Sequence, residues 1–286
     1  MKNDLHLHTN LSACASRENT WESLLVKCEE AKLDRISVTD HNTCLFHIIN
    51  MFNDTTPIFS GEIIPGMECC SITTGATIDL LAYNFDVLKA FDWSFQTYGT
   101  LETRQTKMKD MLLDIAKQNN FKINTDMIFN GKVDYAHKYV YHNLVQFPEN
   151  AWLFEKYNIC NFSDFYRASS INKNFPFYLQ LENIWPSVKQ VAEAIHSMGG
   201  VVILAHPYNY KENISGETLL QVALDNGLDG IEVYHPSANQ QQIDFMLNFA
   251  KEHNMIVTGG SDFHGIPSKN KVGIENIDSN QTNINI

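Results

Sequence analysis

Short apolar runs recur along the chain, and longer amphipathic segments separate most of them. Short runs rich in Val, Ile or Leu are typical of buried strands. They occupy residues 36–39, 63–67, 201–205, 230–234 and 255–258. The segments between them place apolar residues at helical spacing. Thr20 could cap a helix that begins at Trp21, and a further helix is predicted from Ser187 to Met198. The alternation of strand and helix predicts an α/β fold with parallel strands.

The first strand is predicted from residues 4–8, where polar and apolar residues alternate. Alternate side chains of a strand share a face, so His6 and His8 would point the same way, about 7 Å apart along the strand. Two imidazoles in that arrangement can hold one metal ion. The alternative for an isolated pair is two histidines on the solvent face of an edge strand.

Four of the other apolar runs lead into residues of the types that bind metal ions. In a barrel of parallel strands, side chains at the carboxyl ends of different strands converge on one mouth. The sequence therefore predicts one metal centre built from strand ends. Its candidate residues are Asp40 and His41 after residues 36–39, Glu68 after 63–67, His206 after 201–205, and Asp262 and His264 after 255–258.

These motifs, taken in this order, resemble those of the PHP (polymerase and histidinol phosphatase) superfamily. They are His6-x-His8, Thr39-Asp40-His41, Gly66-Met67-Glu68, Leu204-Ala205-His206-Pro207 and Gly260-Ser261-Asp262-Phe263-His264. The resemblance runs from residue 4 to about residue 265 and is weakest between about 85 and 185. It implies a distorted (β/α)7 barrel that holds two to three divalent metal ions, manganese, zinc or iron, and hydrolyses phosphate esters.

The middle of the chain has a different pattern. Residues 101–119 are charged and amphipathic, and aromatic segments follow them. We predict a mostly helical insertion at residues 91–175, lying over the barrel mouth, and one discontinuous barrel domain of residues 1–90 and 176–286. The aromatic residues of this region are more typical of a helical core than of a base-stacking platform.

The resemblance also implies how the metal ligands are shared. It assigns four residues to the first ion: His6, His8, Glu68 and Asp262. Glu68 would bridge to a second ion, which also needs His206 and a histidine from the middle of the chain.

Two residues of the middle segment could be that histidine. His137 follows residues 131–133 and precedes a helical pattern, which matches the position in the family better. His142 also fits an ordinary residue on a helix surface. Two positions before His137, where related sequences often have an arginine, this chain has Tyr135. Contacts to a substrate phosphate would therefore come from elsewhere, and the candidates are Arg17 and Lys132.

A third metal site would be formed by His41 and His264, with one more ligand from the loop after His8. Many relatives have an acidic residue or a histidine in this loop, whereas this chain has Ala13 and Cys14. A thiolate at Cys14 would favour zinc or iron, and nearby cations would lower its pKa. The alternative is that Cys14 is a small buried side chain.

Two further residues are candidates for catalytic roles. Asp40 would accept a proton from a metal-bound imidazole and so fix its orientation. His235 also follows an apolar run and could assist the leaving group as an acid.

Composition restricts the possible partners. The chain has 286 residues, which suits one barrel, and a formal net charge of −12, which argues against extended nucleic-acid binding but leaves a small phosphorylated substrate or nucleotide possible. Its longest apolar runs fall short of the ~20 residues that span a bilayer, and His6 follows the N-terminus too closely for a signal peptide. We therefore expect a cytoplasmic protein whose six cysteines are mostly reduced.

The predicted cluster indicates a reaction. Two divalent ions lower the pKa of a bridging water, and the resulting hydroxide attacks phosphorus while the ions neutralise charge on the phosphate. We therefore expect a metal-dependent phosphoesterase that acts on a small metabolite or a nucleotide. The alternatives are a non-catalytic metal-binding PHP module and a C–N bond hydrolase of the amidohydrolase type. The latter enzymes usually use a lysine or carboxylated lysine as the bridge, where this chain offers Glu68.

Overall fold

The computed structural model describes residues 2–73, 76–124, 126–132, 134–179, 184–210, 214–266 and 270–273. The chain divides by its internal contacts into two compact units. The first unit joins Met1–Thr97 to Trp185–Ile286, and the second is Tyr98–Ile184. The strands named below belong to the first unit.

The strands of the first unit form two sheets. One has the order β1-β2-β3, with all three strands parallel: β1 (Asn3–Leu7), β2 (Arg35–Val38) and β3 (Glu62–Ile63). The other has the order β4-β5-β6-β7-β8: β4 (Gly66–Thr73), β5 (Ala76–Tyr83), β6 (Val201–Leu204), β7 (Gly230–Tyr234) and β8 (Ile256–Gly259). Helices follow most of these strands in the chain, so the predicted α/β class is confirmed.

Strand direction differs from the prediction in one part of the larger sheet. β5 runs antiparallel to both of its neighbours, β4 and β6. The prediction of parallel strands was wrong here, because an apolar run carries no information about the direction of its partner. Single bridges from Leu7 to Phe263 and from His41 to Glu68 connect the two sheets. The described strands form two open sheets, so the closed (β/α)7 barrel stays a prediction.

The helices begin where capping residues precede amphipathic segments. In chain order they are α1 (Trp21–Glu30), α2 (Leu45–Phe52), α3 (Val87–Tyr98), α4 (Leu101–Gln118), α5 (Ala136–Leu144), α6 (Ala151–Lys156), α7 (Phe162–Ile171), α8 (Val188–Ser197), α9 (Gly216–Asp225) and α10 (Gln240–Glu252). The side chain of Thr20 accepts a hydrogen bond from the first turn of α1, as predicted, and Ser187, predicted as the first residue of its helix, is instead the N-cap of α8. α4 to α7 make the second unit mostly helical.

The core beside the smaller sheet holds the ends of β1 and β2 in place. Leu24 and Leu25 of α1 pack with Phe46 of α2 against Ile36 and Val38 of β2. Each such side chain stabilises the fold by about 1.5–3 kcal/mol when it is fully buried. The carboxyl ends of these strands, where His8 and His41 stand, are therefore rigidly supported. Among the described residues, no helix combines the length and the apolar character needed to cross a membrane.

Candidate metal centre

Glu68 lies at the middle of a buried cluster of histidines. It is the third residue of β4, not the end of the strand predicted at residues 63–67, because that run breaks at Pro65 between β3 and β4. Its Oε2 lies 3.2 Å from Nε2 of three imidazoles, which belong to His6, His8 and His41. Its other oxygen, Oε1, lies 3.1 Å from Nε2 of His206. One carboxylate thus faces two sets of histidines with its two oxygens.

Asp262 closes the first set. Its Oδ1 lies 3.1 Å from Nε2 of His8 and 3.5 Å from Nε2 of His6. The predicted first-site residues, His6, His8, Glu68 and Asp262, therefore meet at one place. Two of them, His6 and Asp262, come from opposite ends of the sequence, and the bridge between Leu7 and Phe263 joins those ends.

The cluster has the property expected of residues that hold a metal ion. Nε2 of His6 and Oε2 of Glu68 are both fully buried, and neither makes a hydrogen bond to another atom of the described residues. A buried polar atom without a partner costs free energy, so such atoms need another ligand. Both atoms face the same space, together with Nε2 of His8. Imidazole and carboxylate ligands in this arrangement fit a divalent transition-metal ion.

Glu232, which the sequence did not single out, orients two of the histidines. Nδ1 of His6 donates to Oε1 of Glu232 at 2.9 Å, which leaves the Nε2 lone pair of His6 directed at the cluster. The backbone N–H of His206 donates to Oε2 of Glu232, also at 2.9 Å. His206 has a φ of +29°, a strained backbone conformation that this hydrogen bond helps to hold. The signal in the sequence was a single acid within the apolar run of β7.

A second group of histidines lies beside the loop that follows β1. The ligand atoms of His8, His41 and His264 lie within 4.8 Å of one another. Sγ of Cys14 is 3.1 Å from Nε2 of His264, so the thiol reaches this group, while the Ala13 methyl has no ligand atom. Cys14 is exposed as a residue, although neighbouring protein removes water from part of its thiol. That burial, with the charges of Glu68 and Asp262, raises the pKa of the Cys14 thiol, contrary to the predicted fall.

Asp40 acts through a serine instead of touching an imidazole directly. Its carboxylate accepts hydrogen bonds from the backbone N–H of Thr9 at 2.8 Å and from the hydroxyls of Thr9 and Ser12 at 2.7 and 2.6 Å. Oγ of Ser12 lies 3.3 Å from Nδ1 of His8 and accepts from the backbone N–H of His41 at 3.0 Å. Ser12 therefore stands between Asp40 and His8, which the sequence did not indicate.

Two other predicted residues of the first unit lie at different distances from the cluster. Nε2 of His235 is 3.5 Å from Oδ2 of Asp262, and its Nδ1 is 2.7 Å from the hydroxyl of Ser237. His235 is therefore part of the cluster. Arg17 lies exposed on the loop after β1, and its backbone carbonyl accepts from the Asn10 side chain.

The predicted residues of the middle segment belong to the second unit. His137 is buried in the first turn of α5, between the rings of Tyr135 and Tyr166, and its burial lowers its pKa to about 4. His142 is exposed on the same helix. Lys132 is exposed, with its Nζ 3.7 Å from a carboxylate oxygen of Glu102. Metal binding by His137 or His142 and phosphate binding by Lys132 stay predictions.

A further carboxylate of the first unit joins the cluster. The ligand atoms of Asp79, Glu68 and His206 lie within 4.8 Å of one another. Asp79 stands in β5, and its neighbours Ile78 and Leu80 are fully buried. The sequence showed it only as one acid in an apolar strand, and no motif of the resemblance includes it.

Comparisons with known proteins found similar sequences over most of the chain. The chain is 22% identical over 271 residues to the 5′-3′ exoribonuclease Rnm of Escherichia coli, covering 91% of this chain and 84% of that protein. It is 26% identical over 211 residues to a 5′-3′ exoribonuclease of Haemophilus influenzae, covering 71% and 70% of the two chains. No family model matches the chain.

A solved structure shares the fold over almost the whole chain. It is a candidate metal-dependent phosphoesterase from Bifidobacterium adolescentis, with a TM-score of 0.67 and 22% sequence identity, covering 98% of this chain and 93% of that one. The chain is thus similar in sequence to 5′-3′ exoribonucleases and shares its fold with a structure described as a metal-dependent phosphoesterase.

The protein shifts the pKa values of the clustered histidines in different directions. Burial lowers the pKa of His6, but the charges of Glu232, Glu68 and Asp262 outweigh it and raise that pKa well above its usual value. Burial disfavours the charged form of His8, but hydrogen bonds to Asp262 and Glu68 outweigh it and raise the pKa of His8 to about 9. The pKa of His206 is likewise raised to about 9, against the effect of burial, by its hydrogen bond to Glu68. Burial lowers the pKa of His41 to about 3. Carboxylates thus concentrate positive charge on His6, His8 and His206, at the positions where a metal ion would replace the protons.

Proposed function

We propose that the chain is a divalent-metal-dependent phosphoesterase that hydrolyses the phosphate ester of a small metabolite or a nucleotide. The observation that carries the proposal is the placement of Glu68 between two sets of histidines. A carboxylate that presents each oxygen to a different set of ligands suits a bridge between two metal ions. Paired ions of this kind are the usual means of hydrolysing phosphate esters.

The proposed ligands follow from the geometry of the first unit. His6, His8, Glu68 and Asp262 would hold the first ion. Glu68 and His206 would contribute to the second, and His41 with His264 would contribute to a third. We also propose that the two sheets belong to the distorted (β/α)7 barrel, with residues 1–90 and 176–286 as the barrel domain and 91–175 as the insertion.

The other residues of the cluster would position these ligands and move protons. Bound divalent ions would supply Lewis acidity and lower the pKa of a water for attack on phosphorus. Glu232 would fix the tautomer of His6 through its Nδ1, and Asp40 would hold the loop after β1 through Ser12. His235, beside Asp262, would give a proton to the leaving oxygen.

The names of the similar proteins and the net charge reduce the range of phosphate esters that we propose as substrates. The two similar proteins named above are 5′-3′ exoribonucleases. A net charge of −12 disfavours a long electrostatic footprint on a nucleic acid, so we propose that the substrate is a nucleotide or the end of a short oligonucleotide. Arg17 and Lys132 are the proposed phosphate contacts, and both side chains are exposed.

The test is hydrolysis by metal-reconstituted protein. The chain, stripped of metal and reloaded with Mn²⁺, should hydrolyse an aryl phosphate or a 5′-phosphorylated diribonucleotide, and Glu68→Gln should abolish the activity. Full metal occupancy without turnover of any phosphate ester would favour the non-catalytic PHP module. Turnover of an N-acyl amide instead would favour the C–N bond hydrolase, although the buried polar residues described include no lysine to act as its bridge.

A further inference from the structure

The register of β4 and β5 places one more carboxylate on the face of Glu68. Glu68 and Cys70 are two positions apart on β4, so their side chains share a face. Asp79 of β5 stands directly opposite Cys70 in the antiparallel ladder, and opposed residues point to the same side. Asp79 therefore faces the cluster. A carboxylate oxygen of Asp79 lies within 4.8 Å of ligand atoms of Glu68 and His206. Asp79 also lies within this distance of ligand atoms of His41 and Cys70.

The backbone fixes Asp79 beside His206. The carbonyl of Asp79 accepts from the backbone N–H of Ala205 at 3.2 Å, one residue before His206. The backbone N–H of Asp79 donates to the hydroxyl of Tyr210 at 2.7 Å, and the same hydroxyl lies 3.4 Å from Oδ2 of Asp79. Hydrogen bonds from two directions thus hold the strand at this residue while its carboxylate stays near His206.

His206 is buried, and the ring nitrogen that faces Glu68 is Nε2. The other ring nitrogen, Nδ1, has no hydrogen-bond partner among the described residues, and the residue is 5% exposed. Oε1 of Glu68 and Nε2 of His206 are 3.1 Å apart, and Asp79 supplies a second carboxylate within reach of both. Two carboxylates and an imidazole from the first unit therefore converge where the second ion is proposed.

We propose that Asp79 is a ligand of the second metal ion and that the resulting site selects manganese over zinc. The inference rests on the proposed function in one respect: it uses the second metal site that was proposed there. Carboxylate oxygens suit Mn²⁺, whereas imidazole and thiolate suit Zn²⁺. The second site has two carboxylates and one imidazole. The first site has as many imidazoles as carboxylates, and the third group has imidazoles beside a thiol. The second site is therefore the one best matched to manganese, and it needs no histidine from residues 98–184.

The test compares metal binding by the whole chain and by its variants, without any measurement of activity. Metal-free protein is titrated with Mn²⁺ and with Zn²⁺ by calorimetry, and the bound metal is counted by elemental analysis. Asp79→Asn, which keeps the side-chain shape, should weaken the second Mn²⁺ by ~10-fold or more, because even the loss of a residue that only orients a ligand costs 10-fold to 100-fold in affinity. Asp79→His should shift the preference of that site from Mn²⁺ to Zn²⁺.

Two controls separate ligation from folding. Asp92→Asn alters an exposed carboxylate of α3 and should leave metal binding unchanged. Thermal unfolding of each metal-free variant reports whether it folds as the parent chain does. The rival ligand is tested by His137→Ala: loss of the second ion in this variant, with full binding in Asp79→Asn, would overturn the proposal. Unchanged Mn²⁺ binding by a folded Asp79→Asn would also overturn it.

The outcome is distinguishable from a failure of the proposed function. A chain that binds two Mn²⁺ ions through Asp79 and hydrolyses no phosphate ester would refute the phosphoesterase and leave the ligand assignment intact. If the chain hydrolyses phosphate esters but Asp79→Asn keeps both ions, the ligand assignment would be refuted and the phosphoesterase would stand.

Discussion

Glu232 and His6 form a hydrogen bond in which Nδ1 of His6 donates to Oε1 of Glu232 across 2.9 Å of fully buried protein. The carboxylate can only accept, so the pair fixes which ring nitrogen of His6 carries the proton. The same carboxylate holds the backbone of His206 through its other oxygen. One residue beneath the cluster therefore positions a ligand of each of two proposed metal sites.

This double contact makes Glu232 a positioning residue with a measurable effect on metal binding. In Glu232→Gln the amide has one acceptor oxygen, so it can serve His6 or the His206 backbone but not both. We expect the affinity for the first two ions to fall by ~10-fold to ~100-fold, the range found for residues that orient metal ligands. Calorimetric titration with Mn²⁺ measures it. Glu252→Gln, at the exposed end of α10, is the matched control. Equal affinities in the two variants would contradict the assignment.

Gly260 sets the distance between β1 and the loop that carries Asp262. A Cβ at this position would lie 2.1 Å from Cβ of His6 and 2.5 Å from its backbone nitrogen. Because backbone cannot yield as a flexible side chain can, Gly260→Ala should displace His6 and cost about 1–3 kcal/mol of stability. We expect weaker binding of the first metal ion, measured by titration, and a lower melting temperature.

The control for Gly260 is a glycine with open space around it. Gly199 has a φ of +80° and no atom within 4 Å of a built Cβ. Gly199→Ala should also lower stability, because a side chain strains this backbone conformation, but it should leave metal affinity unchanged. If both variants bind metal as the parent chain does, the close packing of Gly260 on His6 does not position the ligand.

The predicted site residues that the structure brings together share a local signal, and their roles as metal ligands stay predictions. His6, His8 and His206 stand at or next to the ends of apolar runs, and the structure brings them together with Glu68. Such a residue is visible because a polar, ligand-type side chain interrupts a pattern that otherwise specifies burial. The start of α1 was located at Thr20 by its residue type, and the side-chain oxygen of Thr20 accepts from the first turn of that helix.

The residues that the sequence missed depend on partners distant in the chain. Asp79 joins the cluster only because β5 pairs antiparallel with β4, and apolar periodicity does not specify that direction. Glu232 contacts both His6 and His206 because β7 lies beneath them. His6 is 226 residues away from Glu232 in the sequence. Ser12 stands between Asp40 and His8 in a loop whose conformation has no periodic signal. Tertiary pairing, which only the fold supplies, decides each of these.

Metal affinity should depend on pH because metal ions compete with protons for three histidines whose pKa values are raised, His6, His8 and His206. The pKa values of His8 and His206 are about 9 in the folded chain, so both imidazoles favour the charged form below that pH. A metal ion binds the neutral form, and binding therefore releases protons. Affinity should rise from about pH 6 to about pH 9, by about tenfold per pH unit for each proton released. Calorimetry in buffers of different ionisation enthalpy counts the protons. Affinity that does not change over this range would contradict the raised pKa values.

The last prediction concerns the thiol beside the third group of histidines. His41 and His264 alone would leave a third ion held mostly by water, and Ala13 offers no ligand atom, so the additional protein ligand nearest to His264 is Cys14. Cys14→Ser should therefore lower zinc occupancy of this site and the sensitivity of activity to peroxide together, because a metal-bound or exposed thiolate is the group that peroxide oxidises. Ala13→Asp should raise occupancy with manganese, since it adds a carboxylate.

Cys160→Ser is the matched control for the thiol, because Cys160 is also exposed but belongs to the second unit. It should change neither metal content nor peroxide sensitivity. Metal content is measured by elemental analysis after equal exposure to zinc, and activity after a fixed exposure to peroxide. If the thiol is a ligand, zinc occupancy and peroxide sensitivity must both fall in Cys14→Ser. A fall in peroxide sensitivity at constant zinc would identify Cys14 as an exposed thiol beside the site. No change in either quantity would make Cys14 a structural residue of the loop.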